Sequence, residues 1–552
     1  MSCNKRSTKN TGKIASFSAG LCLISGINVY AEVQGSPVTE NFPVPVVSAM
    51  SPSASKNITP AATITVKGFR FTGNSLLSSA EFQQTLQPYL SHPCDLAILR
   101  EAANAVTRIY RQHGHVLANA YILPQNITDG YVVITVVEGR IGKIIIEGNR
   151  FYSSDFIQGY LTSGTDPMTI ERLEKGLLLL NTMFSDISVT GNFLPGAETG
   201  TTDIRVKVVE RFPFQVTLTS NNYGSEYVSR NRFGTQLALT NAGLDGAQAT
   251  VNYFTGSNSD NMHLLSGGYV LPLNTAGTVA GISAFTGNSV IGKDFADLGI
   301  KNEEHSGDIY LKHTLHLDRL SSFSGSIGFR VANTKYFYLV DQLSGYDKTR
   351  VLYAELQADK MSHGGKNFAT LGVAQGLGNF LDGTANGDYL ASRSDASNSF
   401  TKVNVGLGRT QPLSDIFSSL FRFSGQWSPS KLLAGEEWLI GGVNSVHGYA
   451  SGEASGTQGY MASASIRSNP LENKDDLQLS LFLDYGYAYK KQPLIGSEKS
   501  SHLWGCGISA VSHLVDFVIP ADVRFDIGWP LNTKDNALQE NPVFSFDVAV
   551  HL

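Results

Sequence analysis

From about Phe212 to the end of the chain, apolar positions recur every second residue. Phe233, Leu237 and Leu239 alternate with Arg232, Gln236 and Ala238, and Ala249, Val251 and Tyr253 alternate with Gln248, Thr250 and Asn252. The same phase relation returns in Phe323, Ile327, Phe329 and Val331, which oppose Ser324, Ser326, Gly328 and Arg330. It returns again in Val523, Phe525, Ile527 and Trp529, set against Arg524, Asp526 and Gly528. Successive strand side chains point to opposite faces, so these segments predict β-strands with one greasy and one wet face. The final segment continues the pattern, with Phe544, Phe546, Val548, Val550 and Leu552 on one side and Ser545, Asp547, Ala549 and His551 on the other.

The first third follows a different rule and contains a repeat. Phe71-Thr72-Gly73-Asn74 returns as Ile146-Glu147-Gly148-Asn149, and the same offset pairs Ser78 with Ser153, Phe82 with Ile157 and Leu86 with Leu161. Each copy begins with a β-rich run, a Gly-Asn turn and a serine suited to cap a helix; Ser78 and Glu81 form a capping-box pattern. A second helix follows, with Leu99, Ala102, Ala103, Val106 and Tyr110 on one face in the first copy and Leu173, Gly176, Leu177, Leu180 and Phe184 in the second. Strand-like segments then close each copy at Val136-Val137-Glu138 and Val208-Val209-Glu210. The predicted order is β-α-α-β-β, twice. A small sheet with both helices on one face leaves an edge strand free to recruit an extended peptide.

Residues 1–31 carry Lys5, Arg6, Lys9 and Lys13 before a short apolar run broken by Ser16, Ser18, Ser25 and Asn28, and end in Val29-Tyr30-Ala31. This predicts a cleaved signal peptide and an exported chain. Residues 32–62, rich in Pro, Ser, Val and Thr, read as a flexible linker. Beyond the signal, 38 of the 42 basic residues face all 47 acidic ones, which argues against a nucleic-acid partner. Cys94 and Cys506 are the two cysteines outside the signal and fall in different predicted domains, so neither a disulfide framework nor a zinc site is expected.

No later stretch approaches the ~20 apolar residues of a spanning helix. With 55 Gly, 29 Phe and 22 Tyr in an exported chain, the alternating region is expected to be a transmembrane antiparallel β-barrel rather than a soluble sandwich. About 340 residues at ~10 per crossing strand give sixteen strands, with fourteen or eighteen also compatible.

At this point the chain resembles the transporters of two-partner secretion, the TpsB or haemolysin activation/secretion family. Ile109-Tyr110-Arg111-Gln112-His113-Gly114-His115-Val116, Leu123-Pro124-Gln125 and Val137-Glu138-Gly139-Arg140-Ile141 resemble that family's first periplasmic POTRA domain, and the second repeat resembles its second. Ile440-Gly441-Gly442-Val443-Asn444-Ser445-Val446-His447-Gly448-Tyr449 resembles the family's Val-Arg-Gly-Tyr loop tip, with histidine in place of the arginine. The resemblance implies that this tip folds back into the pore and meets an inward-facing Phe-x-Asp-x-Gly motif, here Phe482, Asp484 and Gly486. Strand phase agrees: Leu479, Leu481, Leu483, Tyr485 and Tyr487 form the greasy face, which turns Phe482, Asp484 and Gly486 inward. An arginine would grip Asp484 bidentately, whereas His447 offers a single contact that strengthens at lower pH. Some relatives carry a plug helix near the N-terminus; residues 32–62 show no amphipathic helix, so no plug is carried over.

The expected division is 1–31 signal peptide, 32–62 linker, 63–140 and 141–211 POTRA domains, and 212–552 barrel. The expected function is an outer-membrane pore that binds the N-terminal secretion region of a partner exoprotein, of adhesin or haemolysin type, in the periplasm and passes it outward. Membrane lipid and the barrel-assembly machinery, to which the final strand is presented, are the other expected partners. Arg330, Arg422, Arg524 and Asp526 lie on the wet phase as a candidate track for the exported chain. No catalytic residue, metal or cofactor is implied: Gly73-Asn74-Ser75-Leu76 only faintly matches an esterase block, and no His-Glu-x-x-His or Gly-x-Ser-x-Gly motif occurs. A barrel-assembly factor and a passive porin share the alternating strands and stand as the alternatives.

Overall fold

The structure, a computed structural model, describes residues 63–552 apart from 92, 114, 116, 128, 163–169, 199, 259–260, 340, 472–476, 494–497, 515–518 and 533–540. The expected signal peptide, the expected linker and the expectation of no plug helix there, and Gly114 and Val116, lie outside the described residues. The chain divides into two compact units that meet in sequence at Arg211 and Phe212.

In the C-terminal unit sixteen strands, from Phe214–Asn221 to Val543–His551, close into an antiparallel barrel. Directly opposed residues share a face. The lateral row Arg422, Ser463, Asp484 and Gly505 therefore lies on one surface, and the intervening phase lies on the other. Ile282, Ile309, Ile327, Leu481 and Phe525 on the outer surface are each more than half exposed. Such a belt is stable only against hydrocarbon.

Closure is made by Val543–His551 pairing with Phe214–Asn221, from Asp547 opposite Asn221 to His551 opposite Thr217. This ladder is short, and side chains extend it. Asn221 Nδ2 donates to Asp547 Oδ2 at 3.0 Å, Asn222 Nδ2 to the Phe544 carbonyl at 2.8 Å, and the Phe546 N–H to Asn222 Oδ1 at 2.8 Å. Successive strands pair in sequence order throughout. Between Phe417–Trp427 and Gln458–Ser468, however, the chain makes a long loop, 428–457, with its own short ladder of Trp438–Ile440 against Ala454–Gly456.

The N-terminal unit contains the two repeats. In the first, strand Gly68–Thr72 is followed by helices Ser79–Leu86 and Leu96–Gln112 and strands Asn119–Tyr121 and Tyr131–Val137. The second runs through Arg140–Glu147, helices Ser154–Thr162 and Ile170–Met183, then Ile187–Pro195 and Thr201–Glu210. In both, the last strand is central, parallel to the first and antiparallel to the one before it. A two-residue ladder, Ile64–Thr65 with Pro93–Cys94, is an addition to the first copy that the sequence pattern did not show. The Ser78 N–H donates to Glu81 Oε1 at 3.2 Å, and Ser153 Oγ accepts from the Phe156 N–H at 3.1 Å, which places both helix starts where the serines predicted. Leu99, Ala102, Ala103, Val106 and Tyr110 are buried; in the second copy Leu179 joins Leu173, Leu180 and Phe184 in the core, while Leu177 is only partly covered.

The repeated Gly-Asn and the closing glutamate turn out to be one device. Gly73 and Gly148 hold φ of +82° and +93°, and an added Cβ would lie 2.2 Å from the Val136 carbonyl oxygen and 2.4 Å from that of Val208. Only glycine fits such a left-handed, crowded position. Asn74 and Asn149 each donate to a carbonyl three residues on, at 3.2 and 2.9 Å. The Glu138 carboxylate then accepts the Ser75 and Leu76 N–H groups, each at 2.6 Å, together with the Ser75 hydroxyl and the Tyr110 hydroxyl. Glu210 accepts the N–H groups of Arg150, Phe151 and Tyr152 at 2.9, 2.6 and 3.1 Å. Each glutamate thus ties the end of its sheet to the turn that launches the first helix.

Partial burial pushes the Glu138 carboxyl upward, but hydrogen bonds from the Leu76 N–H and the Ser75 and Tyr110 hydroxyls outweigh it and hold the pKa below the usual carboxylate value. A pKa lower in the folded than in the unfolded state adds stability at neutral pH, and that stability is lost as acid protonates the folded carboxylate. After solvent screening, Glu138→Gln is expected to destabilise the first repeat by about 1 kcal/mol at neutral pH. Hydrogen exchange across Gly68–Gln112 checks this: the gap between variant and parent should close as pH falls through the carboxylate range, and a pH-independent gap would refute the assignment.

Candidate functional site: the inward loop and its socket

The ladder Trp438–Ile440 with Ala454–Gly456 stiffens the stem of loop 428–457, and the tip between them turns into the lumen. There Ile440, Val446 and Tyr449 pack with Ala488 and Leu503 of the inner wall in a small apolar cluster. His447 Nδ1 lies 2.6 Å from Asp484 Oδ2, and the His447 N–H donates to the same oxygen at 3.2 Å. Both side chains are shut away from solvent, at 5% and 0% exposure. The imidazole lies over Phe482, with ring centroids 4.1 Å apart. The structure thus brings His447, Phe482 and Asp484 together, with Gly486 beside them under Val446.

The tip can approach so closely because the wall beneath it has no side chains. A Cβ on Gly486 would fall 2.7 Å from Val446 Cγ2, and one on Gly505 would fall 2.2 Å from the His447 carbonyl oxygen. On Gly528 it would meet the Gly448 nitrogen at 2.6 Å. These three glycines, one from each of three successive strands, form a socket. Gly448 itself has φ of +87°. The Tyr449 hydroxyl lies 2.9 Å from the Trp504 carbonyl oxygen and 2.7 Å from Asn532 Oδ1, so the tip is also held on its far side.

Sequence reasoning missed the roles of Gly505 and Gly528, whose positions in the wet phase were the only available signal. It also missed the stem's ion pairs. Arg393 NH1 contacts Glu437 Oε1, and Lys402 Nζ lies 2.5 Å from Glu436 Oε2, each pair largely excluded from solvent. These partners come from separate parts of the chain, and nothing local marks them.

The candidate track residues are spread around the lumenal wall. Arg330, Arg422 and Arg524 all face the lumen, with Arg422 four strands from each of the other two and Arg330 and Arg524 half a circuit apart. Arg330 Nε lies 3.5 Å from Asp308 Oδ2, and Arg524 Nε lies 2.9 Å from Asp526 Oδ2. Arg422 sits level with Asp484, two strands away.

A closed barrel with an apolar outer belt and an inward loop, following two β-α-α-β-β repeats, defines an outer-membrane protein-handling pore. The chain belongs to the haemolysin secretion/activation protein family ShlB/FhaC/HecB, whose profile matches residues 200–510, while that of the ShlB-type POTRA domain matches residues 64–139. It is 22% identical over 474 residues to the heme/hemopexin transporter protein HuxB of Haemophilus influenzae, covering 84% of this chain and 83% of that one. It is 25% identical over 499 residues to the hemolysin transporter protein ShlB of Serratia marcescens, covering 88% and 85%. Among solved structures, CdiB from Escherichia coli matches with a TM-score of 0.71 at 19% identity over the full length of both chains. BamA from Haemophilus ducreyi matches at 0.51 and 13% over 89% of this chain and all of that one, a likeness of fold alone. The chain is therefore an outer-membrane transporter of two-partner secretion, with POTRA repeats in the periplasm and a barrel that moves a partner exoprotein to the cell surface. Of the three sequence readings, family membership selects the secretion pore.

Asp484 Oδ1 and His447 Nε2 have no hydrogen-bond partner among the described residues. A guanidinium at position 447 would supply the second donor that Oδ1 lacks. His447→Arg is expected to lower the basal ion conductance of the full-length protein in planar bilayers, and Gly505→Ala to raise it by lifting the tip from its socket. Equal conductance in parent and both variants would show that the tip does not control the lumen.

Proposed function

We propose that Val446–Tyr449 act as a releasable latch and that secretion requires this tip to leave Asp484. The observation that carries the proposal is the pairing of a buried His447–Asp484 contact with a socket of three glycines in the path of any lumenal chain. Removing one partner of such a buried pair costs about 3–5 kcal/mol, so His447 and Asp484 act as a unit.

The proposed cargo signal is the N-terminal secretion region of one large exoprotein of adhesin or haemolysin type, taken up in extended form along a sheet edge of the POTRA repeats. Strand Ile187–Pro195 is an edge of the second sheet; the Asn181 amide already holds both outward backbone groups of Val189, at 2.8 and 2.9 Å, so the stretch proposed for pairing lies beyond it, toward Pro195. By strand alternation the Phe193 N–H also points away from the central strand. Division of the chain at 140/141 and 211/212, presentation of the final strand to the barrel-assembly machinery, and contact of the outer belt with membrane lipid complete the reading.

Quantitative proteomics of medium and outer membrane, with and without the gene, tests the cargo assignment. Selective loss of one large exoprotein from the medium supports it, whereas a general loss of outer-membrane barrels or no change in either fraction overturns it. Phe193→Pro removes one edge donor and leaves the internal ladder intact. It is expected to cut secretion about ten-fold or more, with normal amounts of inserted barrel, if the edge pairs with cargo; unaltered secretion would move the receptor surface elsewhere.

A further inference from the structure

Arg350 lies on the outward face of strand Gln342–Ser362, in the same phase as Leu352 and Leu356, which are 52% and 42% exposed. A cation beside a hydrocarbon belt is normally expelled into water, yet Arg350 is only 6% exposed. Segment 377–384 of the following loop covers it. Arg350 Nε donates to the Leu381 carbonyl at 2.9 Å, NH1 to the carbonyls of Ala332 and Thr349 at 3.1 and 2.8 Å, and NH2 to Asn333 Oδ1 at 3.0 Å. The loop backbone is laid along the strand as well. The Leu377 N–H donates to the Arg350 carbonyl, and the Thr384 N–H to that of Lys348, each at 2.9 Å.

So pinned, the segment turns its own apolar side chains outward. Phe380 and Leu381 are 52% and 58% exposed, and Leu381 holds a left-handed φ of 48° that leucine rarely adopts. The Phe380 ring packs edge-on, 6.3 Å from that of Phe329, a residue of the outward belt. Just beyond, the character changes to charge: Lys348 Nζ lies 2.6 Å from Asp382 Oδ2, and Tyr389, farther along the loop, is 89% exposed. Odd-numbered strands of the barrel run away from Phe214, where the chain enters from its periplasmic repeats, so the loop after Gly365–Gly376 lies at the cell-surface rim.

We infer that Phe380 and Leu381 form a foot that rests in the acyl region at the outer-leaflet boundary, held there by Arg350. The foot is continuous with the apolar belt through Phe329 and is capped at headgroup level by the Lys348–Asp382 pair. It fixes the height of the loop that carries Arg393, and hence of the ion pair that Arg393 makes with the stem of loop 428–457. The inference concerns lipid and stands independently of the cargo and latch proposals.

The test uses full-length protein in phosphatidylcholine vesicles with brominated acyl chains. Phe380→Trp and Tyr389→Trp each add one emitter to the native background, which is subtracted using the parent protein. Native Trp427 and Trp504, 53% and 42% exposed on the belt phase, report insertion in every sample. Emission from position 380 is expected to fall about two-fold or more on bromination and to resist aqueous iodide, as for a side chain seated at the acyl boundary. Position 389 should show the reverse. Quenching of position 380 by iodide and not by bromine, in vesicles where the native tryptophans are quenched by bromine, would overturn the inference. Adding Arg350→Gln to the Phe380→Trp chain should shift that emission toward iodide, and unchanged quenching would overturn the anchoring role of Arg350.

Discussion

Hydrocarbon offers no partner for a backbone N–H or C=O, and a strand segment can cross it only in a ladder without edges. The rest of this structure follows from that constraint. Closure of Val543–His551 on Phe214–Asn221 turns a sheet with two faces into a wall with an inside and an outside. One phase of every strand must then be apolar, and the other is released to carry Arg, Asp and Gly. The same closure leaves a lumen that wall side chains cannot fill at sixteen strands and that needs an occupant from outside the wall. Loop 428–457 meets that need, and its chemistry is set by what the wall presents to it.

The wall presents very little at the decisive point. Small residues in the wet phase weaken strands that large side chains would stiffen, and Gly486, Gly505 and Gly528 give up packing on three adjacent strands so that a backbone can lie against them. Around this bare patch the polar contacts are sparse and buried. Asp484 receives the His447 ring and N–H on one oxygen and leaves the other unused. Such a site is selective for one backbone path and holds it with a single ionisable contact, which suits a contact that has to be broken.

The sequence made some of this legible and hid the rest for physical reasons. Period-two alternation revealed the barrel, and even the direction in which Phe482, Asp484 and Gly486 point, because strand geometry couples position to face without reference to the tertiary fold. The Gly-Asn repeat marked both helix launches. That Glu138 and Glu210 hook those turns could not be read, since the contacts span some sixty residues and depend on the parallel pairing of first and last strands. For the same reason, Glu436 and Glu437 gave no sign of their partners, and nothing local marked Arg350 as covered by a loop about thirty residues on. Phase alone turned Arg330, Arg422 and Arg524 toward the lumen, yet it carries no information on angle around the barrel or on how far each side chain reaches across it.

The proposed latch requires the loop to yield to a passing polypeptide, and its supports fall into two groups. The stem pairs, Arg393–Glu437 and Lys402–Glu436, are charge-assisted, largely dehydrated and attached to the barrel wall and the neighbouring outer loop. The tip is held by shape, by the Tyr449 hydroxyl and by one histidine contact. Pivoting the tip alone breaks one buried pair, the His447–Asp484 contact, and leaves both stem pairs made. Withdrawal of the whole loop would break both dehydrated ion pairs at once. Histidine offers Asp484 one ring contact and leaves Oδ1 without a partner among the described residues, where a guanidinium would present a fork of two donors.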